Sequence, residues 1–157
     1  MKYTEAETPK IAAALLEIFL KHMNKDESLV VALHGNLGAG KTTLTQSLAK
    51  ILKIEEQIQS PTFVIQKNYA PQDQPFESLV HIDAYRIEEE EEMEQLYIQD
   101  TLTQKKSLII IEWPEKIVGY IPENAVEVFL DYVDQDSRSV RVEVGGEEVG
   151  VSLEMRA

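Results

Sequence analysis

Apolar residues along the chain change period several times, and each change marks a predicted element. Ile11, Leu15, Ile18 and Phe19 recur at three- and four-residue spacing, which predicts one buried face on a helix over residues 8–23. Thr8 suits the N-cap of that helix and Pro9 its first position, where a residue without an N–H loses no intrahelical bond. A polar turn over residues 24–27 leads into Leu29, Val30, Val31, Ala32 and Leu33, an unbroken apolar run of the kind found in strands covered on both faces. Helical spacing returns at Leu44, Leu48, Ile51 and Leu52.

The second half of the pattern is mostly strand. Residues 63–69 and 79–85 read as an antiparallel hairpin joined by a proline-bearing connector over 70–77. Residues 88–92 are all glutamate and precede Met93, Leu96 and Tyr97 at helical spacing. Such a run reads as a solvated helix start, where carboxylates suit the positive end of the dipole, with an acidic docking surface as the alternative. Leu108, Ile109, Ile110 and Ile111 form a second doubly covered strand, and residues 125–133 and 140–144 alternate as half-buried strands around a turn at 134–138. From Gly145 onward the chain is rich in Gly and Glu and is expected to be a loosely ordered tail. No internal repeat or linker divides the 157 residues, so a single domain over 1–157 is expected.

Composition narrows the setting. Hydrophobic residues make up 43% and charged residues 27%, ordinary for a soluble globular protein. There are no cysteines, which excludes disulfides and thiolate metal sites and suits a reducing cytoplasm. No secretory leader is expected at the N-terminus and no apolar run approaches spanning length, so a cytoplasmic location is expected. The formal net charge is −13, and Lys105-Lys106 is the only adjacent basic pair. A protein that grips nucleic acid through its own surface needs a basic patch, so direct, tight binding to RNA is disfavoured.

The chemistry centres on residues 35–42, G-N-L-G-A-G-K-T, placed between the first apolar strand and the next helix. That arrangement fits the phosphate-cradling loop G-x-x-x-x-G-K-[ST] at every fixed position. A glycine-bearing turn alone would be the bland interpretation, but the flanking strand and helix supply the context the loop requires. The amides of Gly38, Ala39, Gly40 and Lys41 are expected to face phosphate oxygens at a helix N-terminus. Lys41 would reach the β- and γ-phosphates, and the Thr42 hydroxyl would take a Mg²⁺ position. Leu37 and Thr43 flank these positions and are expected to contact nucleotide as well.

A triphosphate site also needs an acidic group at the end of a neighbouring strand. Glu112 directly succeeds the second apolar run, and Asp83 lies within H-I-D-A-Y-R at 81–86, at the end of the apolar-leaning run Leu79-Val80. Ser60-Pro61-Thr62 is a rigid turn presenting a hydroxyl, the type of position from which a switch threonine completes a Mg²⁺ shell; a plain proline turn is the other interpretation. Trp113 could pack in the core or beside the site, His81 suits a satisfied strand histidine better than a ligand, and Arg86 could pair with phosphate or with the glutamates after it.

Taken together, G-N-L-G-A-G-K-T-T at 35–43, S-P-T-F at 60–63, H-I-D-A-Y-R at 81–86 and I-E-W-P-E at 111–115 resemble the TsaE family over roughly residues 5–142. Asn36 departs from the Asp common there, at a variable position of the loop. The resemblance implies a P-loop NTPase-type three-layer α/β fold with a central mixed β-sheet, ATP and Mg²⁺ as ligands, and slow ATP hydrolysis serving threonylcarbamoyladenosine formation in tRNA. It further implies TsaD and TsaB as partner proteins. By motif, Thr42 and Glu112 become metal ligands, Asp83 a second acidic catalytic residue and Thr62 the switch threonine, with Lys41 completing the catalytic set. The family's outlying nucleotide contacts fall on Glu5 and Arg138. Two other readings compete. A small-molecule kinase would add an arginine-bearing lid, whereas the chain after Arg86 is glutamate-rich, and a regulatory module would bind nucleotide without turnover.

Overall fold

The computed structural model describes residues 1–24, 26–58, 66–72, 76–89, 91–92, 94, 98–104 and 106–153. The strands are β1 (Lys2–Thr4), β2 (Leu29–His34), β3 (Gln66–Tyr69), β4 (Ser78–Asp83), β5 (Ser107–Glu112), β6 (Val126–Tyr132), β7 (Ser137–Val144) and β8 (Glu147–Val149). The α-helices are α1 (Thr8–His22), α2 (Lys41–Ile51) and α3 (Ile98–Leu102), with 3-10 segments at Glu5–Glu7 and Pro114–Tyr120.

Among the described residues the eight strands form one mixed sheet in the order β1-β7-β6-β2-β5-β4-β3, with β8 also on β7. The centre is parallel: β2 lies between β5 and β6, and β4 flanks β5. The margins are antiparallel, β3 on β4 at one side and β7 with β1 and β8 at the other. The two apolar runs are the two central strands, and every residue of β5 is buried. Each face has its own core. One cluster packs Leu33, Leu108 and Ile110 against Ile11, Leu15, Phe19, Leu44 and Leu48 of α1 and α2. The other joins Val30, Val80, Ile82, Ile109 and Ile111 to Ile87 and Ile117. This is the layered α/β architecture with a mixed sheet. Among the described residues, no helix is long and apolar enough to cross a membrane.

Several details differ from sequence expectation. Helix α1 begins at Thr8, but its N-cap is Glu7, and the Thr8 hydroxyl donates to the Glu5 carbonyl at 2.7 Å. The preceding 3-10 turn takes over the start: the Glu7 carboxylate accepts from the Thr4 backbone N–H at 2.8 Å. Beyond β7 the described chain continues through a short strand. Gly145 and Gly146, both at positive φ, turn the chain into β8. Val149, Val151 and Leu153 then pack against the larger core. The hairpin of β3 and β4 is antiparallel as expected, although β4 stops at Asp83. The Glu92 carboxylate accepts the N–H groups of Glu88 at 3.0 Å and Glu89 at 3.3 Å, so part of the acidic run ties its own backbone into a turn. Its expected continuation through Met93, Leu96 and Tyr97 lies outside the described residues.

Candidate functional site

Parallel strands β2, β4 and β5 end on the same side of the sheet, and the segments just beyond those ends build the site. Past β2 the chain makes the glycine loop and enters α2 at Lys41. Two glycines there are dictated by geometry. A Cβ on Gly35 would stand 2.8 Å from the Leu130 carbonyl oxygen and 3.0 Å from Ala39 Cβ, so only a bare Cα lets the loop lie this close to β6. Gly40 caps α2 at φ 99°, in the left-handed region where L side chains are strained. The first amides of α2 have no intrahelical acceptor and present the positive end of the helix dipole.

An open cavity of about 380 Å³ lies over the loop. It is lined by Leu37, Gly38, Gly40, Lys41, Thr42 and Thr43 from the loop and helix, by Asp83 at the end of β4, and by Glu112 at the end of β5. The register of β4 on β5 sets Asp83 directly opposite Glu112, so both carboxylates come to the same edge of the cavity. Both are buried, as is Lys41 at 6% exposure. Ala39 does not line the cavity. Its side chain is buried beneath the loop and its N–H donates to the Asn36 carbonyl at 3.1 Å, holding the turn closed.

Glu5 and Arg138 reach the same cavity from the far margin of the sheet. Pairing of β1 with β7 puts Tyr3 opposite Arg138, and Glu5 comes next in the adjoining 3-10 turn. The Arg138 guanidinium donates to the carbonyls of Asp134 (3.0 Å) and Ser137 (3.1 Å) and lies 4.8 Å from the Tyr132 ring centre. Arg86 is exposed and outside the cavity lining, and Thr62 lies outside the described residues.

Sequence reasoning did not place Tyr3, Thr8 or Tyr85 at the site, although all three line the cavity, and it left Trp113 undecided. Tyr85 and Trp113 sit within motif segments and pack ring to ring at 5.0 Å. Trp113 adopts φ 59°, ψ 49°, an uncommon left-handed conformation for a bulky residue. The turn brings its ring under the Lys41 ammonium, 3.7 Å from the ring centre. Tyr3 and Thr8 carry no motif; Tyr3 reaches the site through the long-range pairing of β1 with β7, and Thr8 from the start of α1.

Electrostatics are set by this enclosure. Burial pushes the Lys41 ammonium below its ordinary value, and the nearby Glu112, Glu115 and Asp83 carboxylates oppose that shift without cancelling it. The ammonium donates to the Gly35 carbonyl at 2.5 Å. Burial raises the Tyr3 phenol, with Arg138 acting in the opposite direction. Glu112 Oε2 is 2.5 Å from His81 Nε2 on β4, and both side chains are almost wholly inaccessible. Among the described residues, no group of three or more His, Asp or Glu side chains could hold a metal ion. The hard oxygen donors Thr42 and Glu112 line one cavity with Asp83, a set that suits Mg²⁺ shared with phosphate oxygens rather than held by a protein cage.

Comparison with known proteins places this geometry. Residues 3–140 match the family described as Threonylcarbamoyl adenosine biosynthesis protein TsaE. The tRNA threonylcarbamoyladenosine biosynthesis protein TsaE of Haemophilus influenzae is 35% identical over 126 residues, covering 80% of this chain and 76% of that protein. The Nostoc protein of the same name is 38% identical over 116 residues, 72% of this chain and 68% of the relative. The crystal structure of Bacillus subtilis YdiB superimposes with a TM-score of 0.68 at 25% identity, covering 93% of this chain and 86% of that one. A glycine loop entering a helix, two strand-end carboxylates above it and this agreement over most of the chain lead to one assignment: the chain belongs to the TsaE family of tRNA threonylcarbamoyladenosine biosynthesis and has its P-loop NTPase-type fold.

Proposed function

We propose that this protein is a Mg²⁺-dependent ATPase that serves threonylcarbamoyladenosine modification of tRNA by ATP-driven cycling of a TsaB–TsaD partner complex. The observation that carries the reading is the convergence of Lys41, Thr42, Asp83 and Glu112, from three separate parts of the chain, on one cavity at a helix N-terminus. The α2 amides and the Lys41 ammonium bind phosphate oxygens, giving up the Gly35 carbonyl contact. Thr42 and Glu112 would hold the metal, and Asp83 orients or accepts a proton from the attacking water. When bound, Mg²⁺ supplies positive charge against the phosphate oxygens during displacement. Glu5 and Arg138 flank the nucleotide away from the phosphates, and Thr62 acts as the switch threonine. The cytoplasm is the proposed location.

Phosphate release measured with and without purified TsaB and TsaD tests the proposal. Wild-type protein should hydrolyse ATP slowly, with a rate that responds to the partners. Glu112→Gln keeps the shape of the side chain but removes the charge, so nucleotide binding should persist while hydrolysis falls about a hundredfold. Unchanged turnover in that variant would transfer the principal role to Asp83. No turnover by wild type under any of these conditions would reject the ATPase reading.

A further inference from the structure

The contact between His81 and Glu112 has a role that its burial alone does not explain. His81 is fully buried on β4, diagonal to Glu112 across the β4–β5 pairing, where its direct register partner is Ile110. Its Nε2 lies 2.5 Å from Glu112 Oε2. A carboxylate accepts, so in this contact Nε2–H is the donor. Nδ1 is buried and has no hydrogen-bond partner among the described residues. Fixing the ring this way leaves one buried polar atom unsatisfied, which is unfavourable. An apolar pair at these positions would carry no such cost.

What the contact achieves is orientation. Glu112 is the last residue of β5, with rotatable bonds between its backbone and a carboxylate that must meet the cavity at one angle. Binding Oε2 to a rigid ring on the neighbouring strand fixes that carboxylate and leaves Oε1 as the oxygen not engaged by His81. Lys41 lies close enough to Glu112 to feel its charge, so the two groups share the cavity floor. We propose that His81 is a positioning residue: through Nε2–H it holds the Glu112 carboxylate in the orientation that serves metal and phosphate. This rests on the ATPase reading given above, but its test does not stand or fall with it.

The experiment compares His81→Leu with His81→Gln, whose amide N–H falls near the position of Nε2. For each, thermal melting, kcat and KM for ATP, and the Mg²⁺ concentration giving half-maximal binding of a fluorescent ADP analogue are measured. Loss of a partner that orients a metal ligand typically costs about 10–100-fold in metal affinity or activity. His81→Leu is therefore expected to lower kcat about tenfold or more, to raise the Mg²⁺ midpoint, and to leave KM within about twofold. His81→Gln, which restores the donor, should recover most of both losses. Wild-type kcat and Mg²⁺ midpoint in a folded His81→Leu protein would overturn the proposal. Equal loss in both variants, with nucleotide affinity and melting temperature falling together, would also overturn it, since that is the signature of packing alone. If wild type hydrolyses no ATP, the ATPase reading fails by itself and the Mg²⁺ midpoints decide: a shift in Leu restored in Gln supports positioning, and no shift rejects it.

Discussion

Lys41 bears two opposed demands. Phosphate needs its charge, while burial beneath the loop disfavours that charge. Its folded-state value lies below the ordinary 10.5, so between the two the unfolded chain binds more protons than the folded one. This group's contribution to stability is therefore fully present above the ordinary value and is lost as pH falls through the folded one. Nucleotide affinity runs the other way and falls as rising pH removes the ammonium's proton. Lys41→Met keeps the apolar stem and deletes the charge. It should weaken ATP binding about tenfold to a hundredfold, the range of a charged hydrogen bond. Its melting temperature without nucleotide should equal or exceed wild type. Calorimetric titration alongside thermal melting checks both, and wild-type affinity for ATP with Mg²⁺ would sink the assignment of the loop. Gly35 fails differently. Gly35→Ala drives a methyl into the Leu130 carbonyl and should cost about 1–3 kcal/mol in urea unfolding even without ligand.

At the scale of elements, what could be read in advance was what is local. Strand β2, the loop and α2 are contiguous, and their period and glycines declare them without help from the rest of the chain. Strand β5 declares itself because both of its faces are covered, so no polar residue interrupts its apolar run before Glu112. The far wall of the site was not legible from spacing. Tyr3 enters the cavity because a three-residue strand pairs with β7 across most of the sequence, and no pattern that short specifies a partner. The tie between His81 and Glu112 was equally hidden, since each residue taken alone suits an ordinary strand position. At the C-terminal end, the turn at Gly145-Gly146 brings β8 back onto β7. Ending the chain at Val144 would strip Val149, Val151 and Leu153 from the core. Each is only partly buried, so the loss should be roughly 2–4 kcal/mol, measured as a lower urea midpoint. Nucleotide affinity should stay within about twofold, because none of these residues lines the cavity.

For the whole molecule the governing quantity is the net charge of −13. A surface so acidic gains little from displacing counterions on a phosphate backbone, so under the proposed function tRNA is expected to be met through protein partners rather than directly. The acidic face, including Glu88, Glu89, Glu91 and Glu92, is suited to basic surface on a partner built to hold tRNA. Association with TsaB–TsaD should therefore weaken as salt rises, and added tRNA should lower it further by competition. Tight, salt-sensitive binding of the isolated protein to tRNA would contradict this account, as would a partner complex indifferent to both salt and tRNA.

The ring beneath Lys41 has one more use. The chain contains a single tryptophan, and that tryptophan is Trp113, half-exposed at the cavity with an ammonium over its face. Any phosphate that draws Lys41 away changes the electric field across the indole and its contact with water together. The intrinsic emission of the unlabelled protein is thus a one-site optical signal, readable in real time and free of background from other tryptophans. ATP with Mg²⁺ should shift its intensity or wavelength in a saturable manner, and Lys41→Met should abolish the response. A stopped-flow trace of that emission would then time nucleotide arrival and departure without a dye.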